Sequence, residues 1–351
     1  MTSNQSDITL ALNTASHHDY EKVSNISRHE GGLERHLIEL QGEKFKKYRE
    51  NWHKASNREV LTDFPQFVLL ETLYQCNLKC VMCYKHDDIK SDELDYTETL
   101  PVEVVERVID ECAEHGCPSI SFNNNNEPLL DKKIYQKIAY ASKKGILDTM
   151  INTNALLLGE EQSRALIEAG LTRLLVSIDA ATEKTFGAQR LTAKKQASQD
   201  FKKIVRNTEK FLEIREKMGR KLPVLRASFV VTRVNESERE QFIDYWIDKA
   251  DEITFQRYTA PALTEHFLSL YPKNRDEMLF ECNQPFERLI VRGDGNVYPC
   301  CYQTMNHPIG SIYNNTLHEI WHGKKMQEYQ RIVIDRDWDA NENCKTCSSA
   351  R

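Results

Sequence analysis

The sequence predicts an α/β fold in the middle of the chain and a small α+β domain near its C-terminal end. From Phe67 onward, short apolar runs typical of buried strands alternate with amphipathic segments typical of helices. From about residue 276 the pattern changes to short strands around a turn at 293–296, and five of the ten cysteines lie there. The 351 residues are enough for one large domain and one smaller domain.

Two segments precede the α/β domain. Residues 1–30 are polar and aperiodic, which predicts a disordered N-terminal segment. Residues 31–62 form a predicted helical extension, in which Phe45, Tyr48 and Trp52 recur at the spacing of one helix face. We expect this aromatic face to pack against the α/β domain and consider a partner-binding role the weaker interpretation.

The α/β domain is assigned to residues 63–275 and contains six predicted strands and five predicted helices. The strands cover about residues 66–74, 118–123, 147–152, 172–178, 224–232 and 251–257. The helices cover about residues 101–115, 131–144, 160–169, 197–218 and 237–249. Because such strands run parallel, reactive groups are expected where they end, at their carboxyl ends.

Composition excludes several function classes. The net charge of −6 and the isoelectric point of about 6.0 argue against nucleic-acid binding. No apolar run approaches the roughly 20 residues that a membrane helix needs, and the N-terminus lacks a secretory signal pattern. We therefore expect a cytoplasmic protein whose cysteines stay reduced, which favours metal binding or catalysis over disulfides.

The most specific feature is a cysteine triplet that follows the first predicted strand. Cys76, Cys80 and Cys83 have the spacing C-x3-C-x2-C. Three thiolates at this spacing can hold three irons of a cubane cluster and leave the fourth iron open. A zinc site is the alternative, but no His or Cys follows at zinc-finger spacing.

The triplet resembles the signature of radical S-adenosylmethionine (radical SAM) enzymes. The resemblance implies a partial (β/α)6 TIM-like barrel with a [4Fe–4S] cluster, whose open iron binds S-adenosylmethionine (SAM). It also implies reductive cleavage of SAM to a 5′-deoxyadenosyl radical that abstracts a substrate hydrogen. Two departures affect the cofactor site: Met82 stands where an aromatic residue is common, and Asn125 and Asn126 replace a pair of glycines.

Four further positions match the cofactor-binding pattern of the same family. Glu127 corresponds to a glutamate that accepts a hydrogen bond from the amino group of SAM. Asn154 and Ser177 stand at the ends of the third and fourth strands, where the family contacts the cofactor. Arg190 matches a downstream arginine that pairs with the SAM carboxylate.

A second set of cysteines lies in the segment 276–351. Cys282, Cys300, Cys344 and Cys347 have the spacing C-x17-C-x43-C-x2-C, which resembles the auxiliary-cluster domain called SPASM, or twitch in its single-cluster form. The resemblance implies a second, fully ligated [4Fe–4S] cluster, and structural zinc is the alternative. Since the chain ends at Arg351, we expect the single-cluster form. The spacing from Gly295 favours Cys300 over Cys301 as the ligand, and Cys112 and Cys117 are interpreted as structural.

The substrate is the least constrained part of the prediction. Polar residues near the strand ends are expected to line the cavity: Asn123, Arg226, Ser228, Gln256, Arg257 and Tyr258. They suit a polar small molecule such as a sugar, an aminocyclitol or a nucleotide-linked sugar, oxidised with the auxiliary cluster as electron acceptor. The alternatives are a ribosomal-peptide maturase, a redox-neutral epimerase and a non-catalytic iron–sulfur electron carrier. A flavodoxin- or ferredoxin-type protein is the expected electron donor.

Overall fold

The computed structural model describes residues 23–83, 99–192, 197–258, 282–301 and 307–347. The strands within these residues are β1 Val23–Ser27, β2 Phe67–Leu70, β3 Leu78–Cys80, β4 Ser119–Ser121, β5 Asp148–Thr153, β6 Arg173–Ser177, β7 Arg190–Thr192, β8 Val224–Val231, β9 Glu252–Arg257, β10 Arg288–Val291, β11 Asn296–Tyr298 and β12 Gly310–Ser311. The helices are α1 Gly32–Gln41, α2 Glu43–Ser56, α3 Val102–Glu114, α4 Ile134–Lys143, α5 Glu160–Glu168, α6 Glu183–Gln189, α7 Ala197–Lys217, α8 Arg239–Trp246, α9 Gln284–Glu287, α10 Leu317–Trp321, α11 Lys324–Asp335 and α12 Glu342–Thr346.

A ten-stranded sheet forms the centre of the fold, in the order β1-β9-β8-β6-β5-β4-β2-β10-β11-β12. The six strands from β2 to β9 in this order are parallel and are joined by helices that cover the outer face. This confirms the predicted partial barrel, and the sheet is not closed. The six predicted strands all exist, although β2 ends at Leu70, four residues before the predicted end.

The prediction of disorder over residues 1–30 is wrong for residues 23–27. These residues form β1, which pairs antiparallel with β9 from Val23 opposite Gln256 to Ser27 opposite Glu252. Residues 1–22 lie outside the described part of the chain. The pairing was missed because β1 is short and polar and gains its stability from a strand more than 200 residues away.

The helical extension consists of two helices rather than one. Gly42 separates α1 from α2 with φ 77° and ψ −160°, a conformation that a residue with a Cβ rarely adopts. Phe45 and Tyr48 are buried in a cluster with Val224, at the amino end of β8. The Trp52 ring lies 5.9 Å from the ring of Phe67 in β2. The aromatic face therefore packs beneath the amino ends of the barrel strands, as predicted.

The C-terminal segment continues the barrel sheet. Strand β10 pairs in parallel with β2, and β11 and β12 follow it as antiparallel neighbours. Leu289, Val291 and Trp321 belong to the same buried core as the barrel strands. The predicted domain boundary at residue 276 lies outside the described residues. Among the described helices, none combines the length and the apolar character needed to cross a membrane.

Candidate active site

The cysteine triplet lies in a loop that two other segments, β7 and the loop at Glu127, hold in place. Cys80 in β3 pairs with Arg190 in β7, and the amide of Cys83 donates to the carbonyl of Cys80 over 3.0 Å. The amide of Glu127 donates to the carbonyl of Gln75 over 2.9 Å. These contacts position the triplet beyond the carboxyl end of β2, where the parallel-barrel rule predicts the chemistry.

The three thiols of the triplet form one electrostatic group around a buried arginine. Burial, together with the neighbouring Cys83 and Cys76, raises the pKa of the Cys80 thiol to about 12 against the opposing charge of Arg190. A thiol held protonated by burial loses its proton when a metal binds, so loading a cluster releases protons here. The donor set and its spacing fit the three-cysteine site of a cubane cluster.

Arg190 is paired with an acid that the sequence interpretation did not select. Its Nε donates to Asp179 Oδ2 over 2.9 Å, and its Nη2 contacts the same oxygen. Burial alone would lower the pKa of Arg190, but Asp179 and the Cys80 thiol outweigh it and raise the pKa. Arg190 therefore lies beside the triplet, with part of its donor capacity committed to Asp179. The signal for Asp179 was a lone carboxylate directly after an apolar strand.

Glu127 is a buried junction between the loop after β4 and the end of β5. Its Oε1 accepts from Thr153 Oγ1 over 2.7 Å and from the amide of Leu129 over 3.1 Å, and its Oε2 accepts from the amide of Asn154 over 2.7 Å. Burial raises its pKa against these hydrogen bonds. Since a carboxylate has about four acceptor positions, Glu127 can also accept from a ligand ammonium.

A row of polar side chains crosses the carboxyl ends of β4, β5 and β6. Asn123 Oδ1 accepts from the amide of Asn152 over 2.7 Å, and Ser177 Oγ donates to Asn152 Oδ1 over 2.9 Å. Asn154 Nδ2 donates to Asn77 Oδ1 in the cysteine loop over 2.7 Å. Two predicted site residues, Asn123 and Ser177, are thus joined through Asn152, and a third, Asn154, contacts the cysteine loop. Asn77 and Asn152 were missed because isolated asparagines carry little sequence signal.

The remaining predicted substrate residues separate into different environments. Tyr258 is buried against Val81 and Met82 of the cysteine loop, so its ring forms part of the wall beside the triplet. Ser228 lies opposite Ser177 in the sheet. The side chain of Arg257 lies outside the described residues, and Gln256 is exposed.

Arg226 does not reach the carboxyl ends of the strands. It is the third residue of β8, and its Nε lies 2.5 Å from Glu252 Oε2 at the start of β9. The prediction that Arg226 contacts substrate is therefore wrong, because its charge is used in an ion pair near the amino ends of the strands.

The second cysteine set, Cys282, Cys300, Cys344 and Cys347, lies near the amino end of β10. Burial, together with the neighbouring Cys347, Cys344 and Cys301, raises the pKa of the Cys282 thiol to about 12 against a hydrogen bond from the amide of Gln284. Burial and the neighbouring Cys347 together raise the pKa of the Cys344 thiol to about 12 as well. The three segments that carry these cysteines thus converge, and their thiolate donor set fits an iron–sulfur cluster.

Cys300 and Cys301 both border this set. The Sγ of Cys301 accepts from Gln284 Nε2 over 3.3 Å, and its amide donates to Gln284 Oε1 over 2.9 Å. Cys301 is exposed, whereas Cys300 is half-buried. Burial raises the pKa of the Tyr329 hydroxyl, and Cys300 and Cys344 raise it further, so both of these thiols lie near that ring. The choice of Cys300 as the fourth ligand stays a prediction.

Comparison with known proteins identifies the family. The Radical SAM superfamily matches residues 70–245, which is half of the chain. The chain belongs to the radical SAM superfamily. An iron–sulfur cluster-binding domain, SPASM, matches residues 282–348. The radical SAM domain implies a [4Fe–4S] cluster and SAM, and the SPASM domain implies auxiliary iron–sulfur binding.

Curated relatives match only parts of the chain. Fe-coproporphyrin III synthase of Methanosarcina barkeri (strain Fusaro / DSM 804) is 35% identical over 109 residues, which cover 31% of this chain and 26% of that protein. GTP 3',8-cyclase of Clostridium botulinum (strain Hall / ATCC 3502 / NCTC 13319 / Type A) is 30% identical over 171 residues, 48% of this chain and 49% of that protein. The chain therefore spans at most about half the length of these curated relatives.

Solved structures of radical SAM proteins share the fold. Native anSMEcpe with bound AdoMet has a TM-score of 0.60 and 17% identity, covering 80% of this chain and 87% of that chain. Streptococcus suis SuiB bound to precursor peptide SuiA has a TM-score of 0.59 and 15% identity, and the match covers 82% of this chain and 70% of that chain. BtrN in complex with AdoMet and 2-DOIA has a TM-score of 0.50 and 16% identity, and the match covers 82% of this chain and 94% of that chain. At these identities the similarity shows the fold alone.

Proposed function

We propose that this radical SAM enzyme dehydrogenates a polar small molecule, such as a sugar or an aminocyclitol, and passes the second electron to an auxiliary [4Fe–4S] cluster. Cys76, Cys80 and Cys83 would hold the first cluster, and Cys282, Cys300, Cys344 and Cys347 would hold the second. The observation that carries the proposal is the location of the cysteines, which lie at opposite ends of the paired strands β2 and β10.

The two cysteine sets are suited to electron transfer along one sheet. The triplet follows the carboxyl end of β2, and the second set borders Arg288, the first residue of β10. From Arg288 to Val291 the strand rises about 10 Å, since each residue adds about 3.3 Å. The second set therefore lies away from the carboxyl ends of the barrel strands, which supports a role in accepting an electron rather than in contacting substrate.

No spare thiol within the described residues lies at the barrel mouth, which argues against an epimerase that returns a hydrogen atom from cysteine. All ten cysteines are described. Cys112 and Cys117 are buried around the end of α3, before the amino end of β4. Cys301 is held by Gln284 beside the second set. Dehydrogenation needs no thiol donor and is therefore favoured over epimerisation.

The residues at the carboxyl ends of the barrel strands favour a substrate that forms hydrogen bonds. Asn123, Asn152 and Ser177 form a continuous polar row, and such amides and hydroxyls orient substrate hydroxyl groups. When bound, the cluster and SAM supply a 5′-deoxyadenosyl radical that removes a hydrogen atom from the substrate. The chain's own part is to bind SAM through Glu127, Asn154 and Arg190, to orient the substrate and to exclude water.

The experiment incubates anaerobically reconstituted protein with SAM, reductant and panels of sugars, aminocyclitols and peptides. We expect 5′-deoxyadenosine to form together with a small-molecule product that has lost two hydrogens, as measured by mass spectrometry. Deuterium uptake from solvent without mass loss would instead indicate epimerisation, and modification of a peptide alone would indicate a maturase. Absence of 5′-deoxyadenosine under all conditions would indicate a non-catalytic iron–sulfur carrier.

The Cys344→Ala variant is the matched control for the role of the second cluster. We expect it to cleave SAM without product, because the first cluster is intact while the electron acceptor is lost. Normal product formation by this variant would overturn the proposed role of the second cluster.

A further inference from the structure

A histidine cluster lies outside both cysteine sets, where the barrel and the C-terminal segment meet. It consists of Asp63, His115, His318 and His322. Asp63 precedes β2, His115 ends α3, and His318 and His322 lie on or directly after α10. Three of its ligand atoms, one each from Asp63, His115 and His318, lie within 4.8 Å of one another.

The side chains of the cluster already face each other. His318 Nε2 lies 3.7 Å from Asp63 Oδ2, and His322 Nε2 lies 3.4 Å from Asp63 Oδ1. The rings of His115 and His318 stack with centroids 4.6 Å apart and 19° between their planes. Imidazole nitrogen with carboxylate oxygen is a donor set that zinc accepts readily.

The backbone around the cluster is fixed by contacts that do not use the side-chain nitrogen and oxygen atoms of Asp63, His115 and His318. Trp321 Nε1 donates to the carbonyl of Thr62 over 2.8 Å, and His322 Nε2 lies 2.9 Å from the carbonyl of Asp63. The His115 ring stacks on buried Phe64 at 4.8 Å. The amide of His318 donates to Glu111 Oε1 on α3 over 2.9 Å. Three segments distant in sequence are thus held at one point before any ion binds.

We propose that Asp63, His115 and His318 bind a divalent transition metal ion of the zinc type, with His322 orienting Asp63. Zinc–nitrogen and zinc–oxygen distances of about 2.0–2.2 Å place neighbouring ligand atoms about 3.4 Å apart. Closing the site from the present separations requires the 83% exposed Asp63 side chain to move by about 1 Å, and the stacked rings of His115 and His318 to turn so that a nitrogen of each faces the ion. Water fills the remaining coordination position.

The site is structural rather than hydrolytic. Residues 318–322 read His-Glu-Ile-Trp-His, a pattern that on longer helices supplies two zinc ligands and a general base. Here Glu319 closes a capping box with Thr316: its side chain accepts from the amide of Thr316 over 3.1 Å, so it is not directed at the metal. A bound ion would therefore join the segment before β2, the end of α3 and α10.

The first test measures zinc in untagged, full-length protein after anaerobic cluster reconstitution and removal of free metal. We expect about one zinc per chain in addition to the cluster iron. His318→Gln and His115→Gln are each expected to weaken zinc binding by at least about tenfold, and His322→Gln by less, because it acts on a ligand rather than on the ion. His53→Gln, on the exposed face of α2, is the control and should leave binding unchanged.

Cobalt substitution separates this site from zinc held by cysteines. Cobalt in the histidine cluster gives weak visible bands without the intense near-ultraviolet bands of thiolate ligation. We also expect zinc to raise the melting temperature of the wild type but not of His318→Gln, while the two metal-free proteins melt alike. Zinc binding that is equal in His318→Gln and the wild type, cobalt spectra dominated by thiolate, or no retained zinc would each overturn the proposal.

Discussion

At the residue scale, the most consequential contact is the buried pair of Asp179 and Arg190. Asp179 has φ 59°, which aspartate tolerates better than most residues, and its Oδ1 accepts from the amide of Val230 over 2.7 Å. Its carbonyl also accepts from Gln189 and Asn235. The resemblance implied that Arg190 pairs with the SAM carboxylate, but it did not imply the pairing with Asp179, because a pairing between side chains depends on three-dimensional placement.

Breaking this pair should cost stability as well as cofactor binding. We expect Arg190→Gln to lower the free energy of unfolding by about 3 kcal/mol, because Asp179 becomes a buried charge without its partner. Anaerobic urea unfolding measures this. The double variant Asp179→Asn/Arg190→Gln should lose less than the sum of the two single variants. A loss of SAM affinity in Arg190→Gln with unchanged stability would contradict this role for the pair.

Single substitutions of the adjacent residues Cys300 and Cys301 show which thiol ligates the second cluster. We expect Cys300→Ala to lose about four of about eight irons after reconstitution and Cys301→Ala to lose none, since one of the two adjacent thiols serves the cluster. Iron and sulfide analysis measures both. The reverse result would identify Cys301 as the ligand and contradict the assignment made from the spacing to Gly295.

At the element scale, Asp251 joins β1 to the barrel. Its Oδ1 accepts from Arg28 Nη2 over 2.6 Å, and its Oδ2 accepts from Arg215 Nη1 over 2.5 Å and from the amide of Leu225 over 2.7 Å. Burial alone would raise the pKa of Asp251, but the hydrogen bond from His29 and the charge of Arg215 lower it well below its ordinary value of 3.8. One carboxylate thus links β1, α7 and β8.

This lowered pKa makes the contribution of Asp251 to stability depend on pH. The folded protein binds fewer protons at this group than the unfolded chain, so the stabilisation is complete above about pH 4 and is lost as the pH falls further. We expect Asp251→Asn to lower the free energy of unfolding by about 3 kcal/mol at pH 7, with a smaller difference at pH 3. Urea unfolding at both pH values checks this, and a difference that does not depend on pH would contradict it.

Some of the strands and helices could be predicted from the sequence and others could not. The six barrel strands were predictable because each carries apolar residues that are buried in the core, as Leu174 and Val176 in β6 are. Strand β1 and the pairing of β10 with β2 were not, because both depend on partners far away in the chain. The helix break at Gly42 had a local signal, a glycine between two amphipathic segments, that a single-helix interpretation overlooked.

At the scale of the whole molecule, one continuous sheet connects the two cysteine sets. Glu71 follows β2, and its Oε1 accepts from the amide of Asn125 over 2.8 Å, while its Oε2 lies 3.8 Å from Arg292 Nε after β10. Both side chains are buried. The loop beside Glu127 is therefore tied to the C-terminal segment, which couples the candidate SAM site to the segment that carries the second cysteine set.

The central claim is that the chain holds two separate cubane clusters, only one of which is required for SAM cleavage. The most direct measurement counts iron and sulfide in anaerobically reconstituted wild type and in a variant with Cys76, Cys80 and Cys83 all changed to alanine. We predict about eight irons in the wild type and about four in the variant, held by the C-terminal cysteines. Iron near zero in the variant, with zinc in its place, would contradict the account and make the C-terminal site structural.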